Sequence, residues 1–146
     1  MQLFRQIDPG TAALVGWGVR VMLLSPNGGE GSGRVAERIA GFGGLIETEA
    51  DMFSCVDAIA EDATGFGLLV IECDAFGGLE AGRRVLSMLG SAGERLPVML
   101  ISREVREQVF PQDGNAPILL RAPLSAVSLR VGFEHALRDR LVYMAA

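Results

Sequence analysis

The sequence predicts an α/β domain built on a doubly wound, five-stranded parallel sheet. Short apolar runs alternate along the chain with segments of helical periodicity, which is the pattern of repeated strand–helix units. The clearest run is Leu68-Leu69-Val70-Ile71, which ends abruptly in acids and glycines. A continuous apolar run of this kind is typical of a strand buried on both faces of a parallel sheet. Right-handed crossovers between such strands place helices on both faces.

The first half of the chain contains two predicted strand–helix units. Residues 19–24 are apolar apart from Arg20, which predicts a first strand, and a glycine-rich loop follows them. Residues 34–42 then carry apolar side chains at helical spacing, with charged side chains opposite, and are predicted to form a helix. Residues 45–46 form a short second strand, and Asp51 begins a second helix that ends near Gly65.

The second half continues the alternation after the central strand. Residues 79–89 have an apolar helical face, and residues 97–102 are predicted to form a fourth buried strand. Residues 103–110 are predicted to form one short helix, which a proline and a turn signal end. Residues 117–120 form the fifth strand, and Ser125 caps the last helix.

Composition restricts the classes of function. The chain has 146 residues, of which 49% are hydrophobic, enough for one domain with a closed core. Its net charge of −5 disfavours a nucleic-acid partner. Cys55 and Cys73 lack CxxC spacing, so neither a metal site nor a disulfide is expected. No stretch approaches the roughly 20 apolar residues of a membrane-spanning helix. We therefore expect a cytoplasmic protein that uses no cofactor and binds no membrane.

The domain is predicted to span residues 19–146, preceded by an N-terminal extension of residues 1–18. The extension contains the turn signal Asp8-Pro9-Gly10 between two short apolar groups. Either it packs on the domain or it forms an arm that binds a partner, since termini are usually untethered unless they dock.

Four stretches resemble, in order, the receiver domain of bacterial two-component response regulators. Residues 67–72 are similar to the third strand of that family, which ends in the phosphorylated aspartate. Residues 77–80 resemble the start of its third helix, and residues 98–102 its fourth strand with a terminal hydroxyl residue. Residues 120–124 resemble the segment that enters its fifth helix. The resemblance covers about residues 19–140 and implies a flavodoxin-like, receiver-like (βα)5 architecture.

The positions that carry phosphotransfer chemistry in the family are altered here. Ser25-Pro26 stand where the family has two acids that hold magnesium, and Glu72 stands at the phosphoacceptor position. The lysine position falls on Ala122, with Arg121 one residue earlier, and only the hydroxyl residue, Ser102, is retained. The resemblance therefore implies a pseudo-receiver without a metal site. We expect a non-catalytic signalling module, not an enzyme, whose partner is a protein such as a sensor kinase or another regulator.

Glu72 and Asp74 leave two other interpretations open. In the first, one of these carboxylates accepts a phosphoryl group in an atypical phosphoreceiver. In the second, Glu72 is a permanent stand-in for the phosphorylated aspartate and directs its charge toward Ser102 and Arg121. A solvated carboxylate at a strand end is the simpler explanation, because a carboxylate has less charge and fewer acceptor atoms than a phosphoryl group.

The glycine-rich loop suggests a third class of function. It follows a strand and precedes a helix, the setting in which backbone N–H groups bind phosphate groups. Arg34-Val35 replace the lysine and hydroxyl of a P-loop, and Glu30 would repel an anion. A small anion- or nucleotide-binding protein is thus the alternative that uses this loop, through Gly28, Gly29, Gly31 and Gly33.

The last helix is predicted to contain a partner surface. Leu129, Phe133 and Leu137 recur every four residues and form the stripe that docks on the sheet. The apolar residues Val127, Val131 and Leu141 fall outside that stripe and would face solvent in a monomer. In the resembled family, the face made by the fourth helix, fifth strand and fifth helix is a common dimer surface. We therefore expect a homodimer that uses this helix.

Overall fold

A computed structural model describes residues 17–26 and 33–138. Five parallel strands form one sheet with the order β2-β1-β3-β4-β5, which confirms the predicted fold class. The strands are β1 (Arg20–Leu24), β2 (Leu45–Glu49), β3 (Leu68–Glu72), β4 (Val98–Ser102) and β5 (Ile118–Arg121). The first four residues of β3 are fully buried at the centre of the sheet. Strand β2 extends beyond the predicted residues 45–46, where the alternating acids of this edge strand concealed its apolar pattern.

Helices cover both faces of the sheet. Within the described residues they are α1 (Gly33–Gly41), α2 (Met52–Glu61), α3 (Leu79–Leu89) and α4 (Ala126–Ala136). Alternate residues of β1 point to opposite faces: Val21 and Leu23 pack with α1 and α4, whereas Met22 and Leu24 pack with α2 and α3. No helix in this part of the chain has the length and apolar character needed to cross a bilayer.

Two helix starts are explained by side-chain caps that the sequence predicted. The Asp51 carboxylate accepts a hydrogen bond from the Ser54 N–H at 2.9 Å, and Ser125 Oγ accepts one from the Ser128 N–H at 3.0 Å. Each cap satisfies an N–H that has no partner within the helix. The second helix ends at Glu61, earlier than predicted.

The polar exception in β1 has a structural explanation. Arg20 donates hydrogen bonds to Glu47 and to Asp62, and its guanidinium lies 4.2 Å from the centroid of the Phe66 ring. These hydrogen bonds, with that to Glu47 the largest cause, raise the pKa of Arg20. Arg20 therefore joins the outer strand, the end of α2 and the entry to β3 at the amino end of the sheet.

The prediction of a short helix over residues 103–110 is wrong. Val109 instead forms an antiparallel bridge with Leu119, with N–H···O distances of 2.9 and 3.0 Å in the two directions. The physical reason is the outer edge of β5, whose backbone groups need partners. A helix this short is marginal in isolation, so pairing with the strand is favoured.

We call residues 103–112 the strap, because they run along β5 where a helix was expected. His135 Nε2 lies 2.7 Å from the Pro111 carbonyl oxygen, and Arg138 donates to the Gln112 carbonyl at 3.0 Å. The ring of Phe110 packs edge-on against His135, with centroids 5.7 Å apart. The far end of the strap is therefore fastened to the end of α4.

The N-terminal extension is described only at Trp17 and Gly18, where the Gly18 N–H donates to the Gly43 carbonyl at 2.9 Å. The rest of the predicted arm, and Leu141 of the predicted interface, lie outside the described residues.

Phe133 is the side chain on which the packing of α4 most depends. It is 1% exposed, and its ring centroid lies 5.1 Å from that of Phe42. We expect Phe133→Ala to lower the free energy of unfolding by about 3–5 kcal/mol, because it removes buried area and leaves a cavity. Urea unfolding monitored by circular dichroism measures this loss. Phe53→Ala, which truncates a phenylalanine that is 64% exposed on α2, is the control and should change stability little. A loss below about 1 kcal/mol for Phe133→Ala would contradict the assigned packing.

Candidate functional site

The predicted site residues come together at the carboxyl ends of β1, β3 and β4. In parallel α/β sheets this end is where ligands bind. A cleft of about 380 Å³ opens here, lined by Pro26, Glu72, Asp74, Ala75, Ile101, Arg103 and Ala122. Its walls are thus largely proline, alanine and isoleucine, with two carboxylates and one guanidinium.

Asp74 connects the loop after β3 to the end of β4. Its Oδ1 accepts a hydrogen bond from the Ser102 hydroxyl at 2.5 Å, and its Oδ2 accepts one from the Arg103 N–H at 2.9 Å. Asp74 reaches these groups because the chain turns into a 3₁₀ helix over Cys73–Phe76 directly after β3. Both carboxylate oxygens therefore bind the end of β4.

Ser102 is fully buried, and its hydroxyl oxygen also accepts a hydrogen bond from the Glu104 N–H at 3.1 Å. A buried hydroxyl without a partner would be costly, so these contacts fix its position. The hydroxyl is consequently committed to Asp74 and to the backbone of its own loop.

Glu72 is half-buried at the end of β3 and lines the cleft. One interpretation directed the charge of Glu72 toward Ser102 and Arg121. The hydrogen bond from the Ser102 hydroxyl is accepted by Asp74, two residues further along the chain. Arg121 is beside Ser102 in the register of β4 and β5, but its guanidinium donates to the Arg106 carbonyl at 3.4 Å. Arg121 is therefore bound to the strap.

Ser25 and Pro26 occupy the first loop of the site. Ser25 is fully buried, and its N–H donates to the Glu49 carbonyl at 2.9 Å. Across residues 17–26 and 33–138, no three His, Cys, Asp or Glu residues are grouped so that they could hold a metal ion. Of the glycines proposed for anion binding, Gly33 begins α1, and the others, Gly28, Gly29 and Gly31, lie outside the described residues.

Glu104 is a residue that sequence reasoning missed. Its Oε1 accepts a hydrogen bond from the N–H of Leu79, the first residue of α3, at 2.7 Å. The residue before α3 is Gly78, which has no side chain to cap the helix. The lack of a capping side chain in the sequence was the signal that could have predicted this contact. A helix that begins after Gly77-Gly78 needs a capping acceptor from elsewhere in the chain.

A further signal lies in the composition. All 13 basic residues are arginine, so the chain has no lysine at any position. The guanidinium of arginine is a fixed, planar group that suits carboxylates and carbonyls, and it does not replace a lysine ammonium in geometry. No rearrangement of this chain can bring a lysine side chain to the cleft.

Cys73 lies next to the site, but its surroundings do not activate its thiol. It is fully buried, and desolvation raises the pKa of its thiol to about 11. Desolvation likewise raises the pKa of Cys55 to about 12. Both thiols are therefore neutral near pH 7, and the neutral form is a poor nucleophile.

We expect neither cysteine to react with a thiol-specific disulfide reagent at pH 8 while the protein is folded. Raised pKa values keep the thiolate fraction negligible at that pH, and burial excludes the reagent. The change in absorbance on reaction measures modification, and the same protein in guanidinium chloride, where both thiols react, is the control. Rapid labelling of Cys73 in the folded protein would show that the loop after β3 opens readily.

Solved structures share this fold. A response regulator receiver domain protein from Clostridium thermocellum is 11% identical in sequence, with a TM-score of 0.66 over 86% of this chain and 98% of that one. A double mutant of the anti-anti-sigma factor PhyR from Bartonella quintana is 15% identical, with a TM-score of 0.61 over 96% of this chain and 57% of that one. No protein-family model and no curated protein sequence matches this chain. Likeness at such low identity establishes the fold, and in its fold this chain is a receiver-like domain.

Proposed function

We propose that this chain is a non-catalytic signalling module that acts through protein–protein contacts and does not depend on phosphorylation. The observation that carries the proposal is the binding of Asp74 to the Ser102 hydroxyl and the Arg103 N–H. The fold shared with a response regulator receiver domain and with an anti-anti-sigma factor supplies the context. Two buried free thiols suit a reducing compartment such as the cytoplasm.

The local chemistry argues against transfer of a phosphoryl group to Asp74. That reaction needs a carboxylate oxygen directed at the phosphorus atom, together with cations that neutralise the oxygens of the phosphoryl group. Both oxygens of Asp74 already accept hydrogen bonds, and Ser25-Pro26 bring no carboxylate for magnesium. Moving Asp74 away would leave the buried Ser102 hydroxyl without its acceptor, which is unfavourable.

Asp74 also offers a reason why phosphorylation is unnecessary. Its carboxylate supplies a fixed negative charge and two acceptor atoms at the end of β4. Under the family resemblance, this is where a phosphoryl group would meet the hydroxyl residue. We propose that Asp74 holds the end of β4 in place without phosphorylation, a role that the sequence had suggested for Glu72.

The second candidate is an atypical phosphoreceiver that uses Glu72. Its support is the position of this half-buried carboxylate at the end of β3, inside the cleft that Arg103 also lines. The third candidate, anion or nucleotide binding by the loop containing Gly28–Gly33, falls mainly on residues outside the described part of the chain.

We expect no saturable magnesium binding in the millimolar range and no covalent phosphoryl adduct after incubation with acetyl phosphate. The reason is the lack of a metal-binding acid at Ser25-Pro26 combined with the engagement of Asp74. Calorimetry with magnesium and intact-protein mass spectrometry measure the two results. A functional receiver domain treated in the same way is the positive control.

An adduct that disappears in Glu72→Gln would establish the atypical phosphoreceiver instead. An adduct lost in Asp74→Asn would refute the fixed role of Asp74. Nucleotide binding without an adduct, abolished by substitutions at Gly29 and Gly31, would favour the anion-binding alternative.

The partner surface that we propose lies on α4. Val127 is 72% exposed and Val131 43% exposed, although both are apolar. On the same helix, Arg130 and Glu134 form an ion pair at 3.4 Å. If two α4 helices pack antiparallel about a two-fold axis near Val131, Arg130 of each copy faces Glu134 of the other. This self-complementary charge pattern supports a second copy of the chain as the occupant.

We expect the purified chain to be a homodimer and Val131→Glu to convert it into a folded monomer. A carboxylate at the centre of the proposed interface would be buried without a partner, whereas in the monomer it is exposed to water. Light scattering coupled to size-exclusion chromatography measures the mass, and circular dichroism checks the fold. Phe53→Glu changes a side chain that is 64% exposed on α2 and is the matched control. A wild-type monomer at high concentration would refute the homodimer.

A further inference from the structure

Two carboxylates connect the loop after β3 with the loop after β4, and they do so in opposite directions. Asp74, from the first loop, accepts hydrogen bonds from Ser102 and from the Arg103 N–H. Glu104, from the second loop, accepts the N–H of Leu79 at the start of α3. We call this reciprocal arrangement, formed by Asp74, Leu79, Ser102, Arg103 and Glu104, the carboxylate clasp.

The two halves of the clasp are joined through Ser102. Its hydroxyl donates to Asp74 and accepts the Glu104 N–H at 3.1 Å. One set of hydrogen bonds runs from Asp74 through the Ser102 hydroxyl to the backbone of Glu104. The Glu104 side chain then binds Leu79, and the chain between Asp74 and Leu79, five residues later, closes the circuit. In such a circuit each bond holds the groups that make the next one, so the bonds strengthen one another.

Gly78 makes room for this circuit. It has a φ of 93°, and a Cβ at this position would overlap the carboxylate of Glu104. Glycine is the residue that adopts this conformation without strain, and it leaves the first N–H of α3 open to an acceptor from another loop. The local sequence thus favours a cap from Glu104 over a cap from within the loop.

We propose that the carboxylate clasp is a conformational latch that makes the floor of the cleft and the beginning of the strap open and close as one unit. Arg103 and Glu104 are the first residues of the strap, whose far end is fixed by His135 and Arg138. Any ligand or partner that displaces Asp74 therefore releases the strap at its first residues. The latch depends on contacts within the chain and is independent of phosphorylation.

Amide hydrogen exchange, measured by NMR on the full chain, tests the latch. We expect Asp74→Ala to accelerate exchange at the Arg103 amide, which it bonds directly, and also at the Leu79 amide, which it does not touch. Glu104→Ala should accelerate exchange at Leu79 and, through Ser102, at Arg103. The acceleration should be about tenfold at the amide that loses its own charge-assisted hydrogen bond. At the other amide, where only the coupling between the bonds is lost, it should be at least about twofold. Glu107→Ala, an exposed acid of the strap, is the matched control and should change neither amide.

The cross effects decide the outcome. If each substitution accelerates only the amide that its own side chain binds, the two contacts are independent and the latch is refuted. If Asp74→Ala prevents folding, the same test uses the Glu104→Ala and Ser102→Ala variants. The exchange rates of the Leu79 and Arg103 amides are then compared in those two proteins. The result is separate from the acetyl phosphate experiment, because a latch can exist in a chain that accepts a phosphoryl group at Glu72.

Discussion

The burial of β3 on both faces is the constraint on which the rest of the structure depends. Leu68, Val70, Leu69 and Ile71 alternate between the two hydrophobic clusters, so this one strand ties both layers of helices to the sheet. Because its apolar run ends at Glu72, the polar residues that follow emerge at the carboxyl edge of the sheet. The end of the central strand thus brings its polar residues beside β4, and the 3₁₀ turn that follows places Asp74 in contact with it.

Much of the fold could be predicted because its elements have strong local signals. The continuous apolar runs indicated the strands, and Asp51 and Ser125 marked helix starts that the structure confirms. Residues 103–110 could not be predicted in the same way, since Val109 gains its partner from β5, ten residues further along the chain. A segment with helical spacing becomes extended when an open strand edge offers its backbone better partners.

The sequence predicts which residues lie at the candidate site, but not which hydrogen bonds they form. Glu72, Asp74 and Ser102 follow from strand ends that a parallel sheet brings together. Which carboxylate reaches Ser102 depends on the 3₁₀ turn after Glu72, whose geometry has no clear sequence signature. Glu104 was missed because a cap supplied across 25 positions leaves no local pattern. The receiver-like fold around the site is thus readable in the sequence, whereas the hydrogen bonds of Asp74 and Glu104 are not.

The strap has a consequence for solubility. By pairing Val109 with Leu119, it covers part of the outer edge of β5, where an open strand could otherwise pair with another chain. Strand β2 is the other outer strand of the sheet, and its last residue, Glu49, places negative charge on that edge, whereas Glu47 is paired with Arg20. Two copies that met through β2 would bring like charges together, which disfavours pairing. The two edges of the sheet are therefore protected against aggregation by different means. A segment of the same chain covers part of the β5 edge, and negative charge protects the β2 edge.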